Sequence, residues 1–182
     1  MEDCLKNVRV ESDLIGSLEV PADALYGVQT LRGIENFPIS CFHLNDYPLF
    51  INGLAMTKLA AAEANYQLGL LSDAQYNGIT QACREILEGK HHEHFPVDMI
   101  QGGAGTTTNM NANEVIANRA LQIMGYPLGK YKHCSPNDHV NCSQSTNDAY
   151  PTAIHLGLYA THLEFMKHYE LLIQSFEVKA EE

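Results

Sequence analysis

The fourteen residues from Gln101 to Glu114 hold three glycines, the run Thr106-Thr107-Thr108 and asparagines at 109, 111 and 113, with no Lys or Arg among them. Glycine lets backbone come close to a ligand, and hydroxyls and amides supply neutral hydrogen-bond donors. That chemistry suits a small anion held by many bonds. No Gly-Lys-Ser/Thr follows, so the run is not a P-loop, and Gly103-x-Gly105 lacks the third glycine of a dinucleotide fingerprint. Two readings stay open for the run by itself. One is an anion cradle leading into a helix N-terminus near Asn109. The other is plain turn and capping chemistry, for which Gly, Thr and Asn are the usual residues.

A second run, Ser143-Gln144-Ser145-Thr146-Asn147-Asp148, has the same character. Alone it reads as an N-cap. Two such loops, each opening a helix and each carrying adjacent hydroxyls, favour the anion-binding reading. The acidic residues nearest the loops, Glu114 and Asp148, are expected in first helical turns, where the helix dipole accounts for them. His91-His92-Glu93-His94 offers metal-ligand types, but no cysteine or second cluster lies nearby in sequence. A solvated helix end accounts for it better, and no metal site is assigned. His133, His139 and His155 flank the second loop, and a lone histidine is more often structural. None is assigned catalysis.

These loops need elements to hold them. Residues 1–48 are rich in turn formers, and Val8-Arg9-Val10-Glu11 alternates like a short strand. Helical patterning begins near Leu49 and runs to about residue 68, with Phe50, Leu54, Lys58, Ala61 and Asn65 on changing faces and an alanine cluster at 60–62. Ser72-Asp73-Ala74-Gln75 has the form of a capping box and predicts a second helix carrying Ile79, Ala82, Cys83, Ile86 and Leu87, stopped at Gly89. A third helix is predicted from about Asn109 to Met124, ended by Gly125 and Pro127. From about Asp148, Leu156, Tyr159, Leu163, Met166, Tyr169, Ile173 and Phe176 step by three or four residues. Pro151 is placed in the first turn of that helix. Its length, about 50 Å at 1.5 Å per residue, calls for partner helices in a bundle. No C-cap is visible before Glu181-Glu182, so the natural polypeptide is expected to continue and this chain to be an amino-terminal piece.

Composition sets the bounds. The chain has 182 residues, 45% hydrophobic and 18% charged, with a formal net charge of −11. It is long enough for one ordinary domain, or one domain with an appendage. The acidic balance argues against nucleic acid and anionic membranes as partners. It also requires that attraction for an anionic ligand be local, from backbone N–H groups, helix N-termini or another chain's basic residues. Five widely spaced cysteines without C-x-x-C suit reduced thiols, and no apolar run approaches the ~20 residues needed to cross a bilayer. A cytoplasmic protein is expected.

In their order, these segments resemble the aspartase/fumarase superfamily of homotetrameric lyases over essentially the whole chain. The resemblance is carried by Pro21-Ala22-Asp23-Ala24-Leu25-Tyr26-Gly27-Val28-Gln29-Thr30-Leu31-Arg32 with Glu35-Asn36-Phe37. It continues in Gly103-Ala104-Gly105-Thr106, Asn109-Met110-Asn111-x-Asn113-Glu114-Val115, Pro136-Asn137-Asp138-x-Val140-Asn141 and Gln144-Ser145-Thr146-Asn147-Asp148. Fumarases typically show Gly-Ser-Gly-Thr at 103–106, Trp-Gly-Ala-Gln-Thr-Gln-Arg at 26–32, His-Pro-Asn-Asp at 135–138 and paired serines at 145–146. All four departures are similar to the aspartase branch.

The resemblance implies a mainly α, L-aspartase-like fold. Residues 1–142 would form a mixed amino-terminal lyase domain with short strands, and 143–182 the start of the central helical bundle, truncated here. It implies a homotetramer whose active sites each draw on three subunits, and reversible anti elimination of ammonia from L-aspartate to give fumarate. Position by position, Thr106, Ser145 and Thr146 would hydrogen-bond a substrate carboxylate, and Asn147 would sit near the departing amino group. The family's base serine and a cationic lysine lie on a mobile loop whose motif is not in this chain. The catalytic residues are therefore unassigned, and the 182 residues alone are expected to be inactive. No cofactor is implied as required, and Mg²⁺ activates some members. The alternatives are a class II fumarase, and a non-catalytic binding or assembly module.

Overall fold

The computed structural model describes residues 7–182, so Cys4 and the acidic pair Glu2 and Asp3 lie outside the described residues. Strands β1 (Val8–Ser12) and β2 (Ser17–Pro21) pair antiparallel, with Val8 opposite Pro21 and Ser12 opposite Ser17. Alternation at 8–11 marks the first strand. The second, Ser17-Leu18-Glu19-Val20-Pro21, is not among the sequence expectations; like the first it buries one residue of five, here Val20. The turn is closed by Asp13, whose Oδ1 accepts the N–H groups of Ile15 (2.9 Å) and Gly16 (3.0 Å). Its other oxygen holds Arg32 Nε at 2.9 Å, which keeps the Asp13 carboxyl at about 2.

Five α-helices follow among the described residues: α1 (Val28–Asn36), α2 (Pro48–Gln67), α3 (Asp73–Leu87), α4 (Thr106–Ile123) and α5 (Thr146–Glu181). Three short single-turn helices fill connections at Leu44–Asp46, His92–His94 and Pro136–Val140. The described residues are thus mainly helical with two short strands, as expected. The box at Ser72 forms as predicted: Ser72 Oγ accepts Gln75 N–H, and Gln75 Oε1 accepts Ser72 N–H. Gly89 ends α3 at φ 85°, and Gly125 ends α4 at φ 81°.

The innermost element is α4. Twelve of its eighteen residues are buried, including Val115, Ile116, Ala117, Ala120 and Leu121, which meet Ile79 and Ile86 of α3 and Ile51 and Leu54 of α2 in one core. Where α2 crosses α5 the backbones touch. A Cβ on Gly53 would overlap the Ala153 carbonyl, and one on Gly157 would lie 3.0 Å from Phe50 Cα.

Three sequence expectations change. Helix α4 begins at Thr106, three residues before the predicted start, because Gly105 at φ 92° and a side chain from outside the helix close its first turn. Helix α5 begins at Thr146, so Pro151 lies inside it rather than in its first turn. Proline has no N–H, so the Asn147 carbonyl loses its i+4 donor there. Glu114 does not serve its own helix's first turn. It lies in the third turn of α4 and is 1% exposed. Its carboxylate accepts Gly27 N–H (2.8 Å), Gln29 N–H (2.9 Å), Thr30 N–H (3.0 Å) and the Thr30 hydroxyl (2.7 Å). It therefore caps α1, whose own N-cap residue, Gly27, has no side chain. Glu11 Oε2 takes the remaining Val28 N–H at 3.1 Å and also accepts the Tyr131 hydroxyl at 2.8 Å.

Candidate active site

The two polar loops converge. The chain turns into α4 through three consecutive left-handed residues, Gly103 (φ 75°), Ala104 (φ 49°) and Gly105 (φ 92°). An alanine at positive φ costs of the order of 1 kcal/mol, so this conformation is held by its surroundings. Gln101 supplies part of the hold: its Oε1 accepts Thr108 N–H at 2.8 Å and its Nε2 bonds the Thr108 hydroxyl. That replaces the cap Gly105 cannot provide. Asp98 fixes the approach, accepting Ile100 N–H (2.7 Å), Ser40 N–H (2.5 Å), the Ser40 hydroxyl (2.8 Å) and Ile39 N–H (3.1 Å). Burial pushes this carboxyl up, but the four donors outweigh it and hold it at about 2.

The start of α5 lies against this turn. A Cβ on Gly105 would overlap the Tyr150 ring, so glycine is what lets the two helix ends meet. Asn109 Nδ2 donates across the junction to Thr146 Oγ1 at 3.0 Å. Beside it opens a recess of about 680 Å³ lined by Gln101, Ala104, Gly105, Asn147, Tyr150 and Ile154 among others. Two helix N-termini thus sit next to one opening, which is where the partial positive charge of helix dipoles is available to an anion.

The four sequence-predicted residues are placed as follows. Asn147 is exposed and lines the recess. Thr146 accepts from Asn109, so its own hydroxyl proton is free. Ser145 caps α5, with its Oγ accepting Asn147 N–H at 3.2 Å. Thr106 stands exposed in the first turn of α4, its hydroxyl donating to the Gly103 carbonyl at 2.6 Å. Rotating that hydroxyl away from Gly103 would release the proton to a ligand.

Sequence reasoning missed what lies behind the loops. Lys58 of α2 is 1% exposed and faces no carboxylate. Its ammonium donates to Asn141 Oδ1 and Gln144 Oε1, each at 2.9 Å. Burial pulls its pKa down to about 7. Asn141 Oδ1 also accepts from Asn109 Nδ2 (3.1 Å) and Asn113 Nδ2 (3.3 Å). The signal was present in the sequence: Lys58 falls on the Ile51, Leu54, Ala55, Ala62, Asn65 face that α2 buries.

Of the histidines that flank the second loop, His139 and His133 have protein partners. His139 Nδ1 accepts Ser135 N–H (2.8 Å) and its Nε2 meets Gln75 Nε2 (3.1 Å), while the His133 ring stacks on Tyr126 at 3.8 Å. His155 is exposed on α5. The structure brings ligand atoms of His91, Glu93 and His94 within 4.8 Å of one another. His91 Nε2 is bonded to Glu85 at 3.1 Å, and Glu85 is also held by Arg119 at 2.5 Å.

Residues 16–182 match the model of a family described as lyase. The chain is 56% identical over 174 residues to the aspartate ammonia-lyase of Pseudomonas canavaninivorans, covering 96% of this chain and 37% of that protein. It is 50% identical over 177 residues to the aspartate ammonia-lyase of Escherichia coli strain K12, covering 97% of this chain and 37% of the relative. Among solved structures it resembles a fumarate lyase:delta crystallin from Brucella melitensis bound to cobalt, with TM-score 0.93 and 50% identity over 94% of this chain and 37% of that one. A class II fumarase from Schistosoma mansoni is similar at TM-score 0.73 and 40% identity, over 82% of this chain and 31% of that one. The chain spans just over a third of the length of the curated relatives it matches.

Proposed function

The chain belongs to the lyase family, and from that premise we propose that it forms part of the substrate site of an aspartate ammonia-lyase. The reaction is the reversible anti elimination of ammonia from L-aspartate to fumarate, in an assembly proposed to be a homotetramer. The observation that carries the reading is the junction at Asn109 and Thr146. It sets two polar helix N-termini beside one recess, within a chain 50–56% identical to named aspartate ammonia-lyases.

The chemistry asks for such a site. The proton to be removed lies next to a carboxylate, and its loss places a second negative charge on that group. Oriented donors that strengthen as this charge grows lower the barrier. Thr106, Ser145 and Thr146 are assigned to the carboxylate and Asn147 to the side of the departing amine. Holding both ends of a dicarboxylate also aligns the C–H and C–N bonds for anti departure. Neutral donors at the surface of the site, with the cation of Lys58 behind them, fit a chain of net charge −11 that must attract an anion locally.

The full-length protein encoded by the gene, assayed by fumarate absorbance, is expected to release fumarate from L-aspartate. Fumarate from L-malate and none from L-aspartate would replace this reading with that of a fumarase. No fumarate from either substrate would favour a binding or assembly role.

A further inference from the structure

Lys58 has no part in the reading above beyond its charge, yet its hydrogen bonds decide which way a proposed site residue points. An ammonium has donors only. Held 2.9 Å from Asn141, it requires that amide to present its oxygen. Asn109 must then face the same oxygen with its NH₂ group, at 3.1 Å. The second hydrogen of that NH₂ goes to Thr146 Oγ1, at 3.0 Å. The Thr146 hydroxyl is thereby the acceptor on its inner side, and its proton is left for an acceptor outside. Gln144 agrees with this order: its oxygen takes Lys58, while its Nε2 donates to the Val140 carbonyl at 2.8 Å and the Cys142 carbonyl at 3.1 Å. Turning the Asn141 amide over would set its NH₂ against the ammonium.

We propose that Lys58 is a positioning residue for the carboxylate subsite, fixing Thr146 as a donor to the substrate through Asn141 and Asn109, and that its protonation is linked to anion binding there. The inference rests on the lyase reading and deepens it. The groups facing Lys58 leave it free to respond. From α3 comes the Cys83 thiol, which burial pushes up to about 12 and so keeps neutral. From the segment before α5 come the amides of Asn141 and Gln144, and from α4, through Asn141, the amides of Asn109 and Asn113. No carboxylate neutralises it among the described residues. With burial holding the ammonium near 7, it is mostly neutral at pH 8. An anion arriving at Thr146 favours the charged form, so binding draws a proton onto Lys58.

The test is fumarate binding to the full-length protein by titration calorimetry, in two buffers of different ionisation enthalpy, at pH 6 and pH 8. Wild type is expected to take up about one proton at pH 8 and almost none at pH 6. Its Kd should rise about tenfold per pH unit above 7. In Lys58→Met the uptake and the slope vanish, and Kd at pH 7 rises about 10- to 100-fold, the size of a lost charge-assisted hydrogen bond. Lys58→Gln stands in if Lys58→Met does not fold, since it too is neutral. A merely structural lysine would weaken folding and leave the pH slope in place. Tight fumarate binding with no proton uptake at pH 8, or uptake that persists in the neutral variants, overturns the inference and leaves the lyase reading intact. Failure of wild type to bind fumarate at all overturns both.

Discussion

Thr146 and Asn147 are adjacent in sequence, yet one is tied to a buried network and the other stands at the edge of an open recess. Both are predicted to matter through donation to the substrate. In the full-length protein, Thr146→Ala and Asn147→Ala should each lower kcat/KM for L-aspartate on the order of 100-fold or more, the scale of losing one donor to a developing anion. Near-normal kinetics in either variant would remove that residue from the site. Lys58 carries a stability prediction of its own. Its pKa is about 7 in the fold and near 10.5 in the unfolded chain. Between those values the unfolded chain binds more protons, so raising the pH from 7 to 10 favours the fold, while below 7 the cost of burying the charge is carried in full. Denaturant unfolding should show wild type gaining up to about 3 kcal/mol over Lys58→Met across that interval. A constant difference between the two proteins would mean that Lys58 does not titrate there. At this scale the sequence was only partly legible. The runs that hold the hydroxyls and Asn147, though not their roles at a substrate, which rest on the resemblance, were visible because short polar runs before helices have a pattern. Glu114 and Lys58 were not, because the partners that give them roles lie 84 and 83 residues away in the chain.

Helix identity was mostly local information and was largely read correctly. The box at Ser72, the stops at Gly89 and Gly125 and the start of α2 near Leu49 all depend on neighbours within a turn or two. The start of α4 was displaced because its first turn is closed by a side chain from outside the helix, Gln101, whereas that of α5 lies two residues earlier than expected on a local cap, Ser145 Oγ accepting Asn147 N–H. The crossing of α2 and α5 sets the distance between Lys58 and the second loop. Gly53 meets the Ala153 carbonyl at that crossing, and a backbone atom cannot swing aside as a flexible side chain does. Gly53→Ala should therefore destabilise the protein by about 1–3 kcal/mol despite the better helix propensity of alanine. It should also move the start of α5 away from the Gly105 turn. A rise in Tm would show that the two helices do not meet this closely.

On the scale of the molecule, the chain divides into a packed body and an arm. Helix α5 runs 36 residues, and only Ala149, Ala153 and Gly157 are buried on it. Beyond Gly157, Leu163, Tyr169, Ile173 and Phe176 of the apolar stripe are exposed, with Phe165, Leu171 and Leu172 beside them. An apolar groove of about 420 Å³ between the start of α2 and α5, lined by Phe50, Tyr150, Ile154 and Leu158 among others, continues that face. Apolar surface on this scale marks an interaction site. The 182-residue chain should self-associate, with an apparent mass in multi-angle light scattering well above 20.2 kDa. Replacing Leu163 and Ile173 by Glu should shift it toward monomer without loss of the helical signal. A clean monomer of the unmodified chain at micromolar concentration would contradict the prediction. No helix among the described residues is long and apolar enough to cross a membrane.

The sequence by itself determined the helical class, most helix ends, the two polar loops and the family, because periodicity, caps and ordered motifs are carried by residues close together in the chain. The tertiary structure alone decided that the loops meet, that Glu114 of one helix caps another, and that a lysine buried in α2 orients the Thr146 hydroxyl. Those facts depend on pairs some 30 to 90 residues apart, and hydrogen-bond direction across such pairs exists only once packing brings them within about 3 Å.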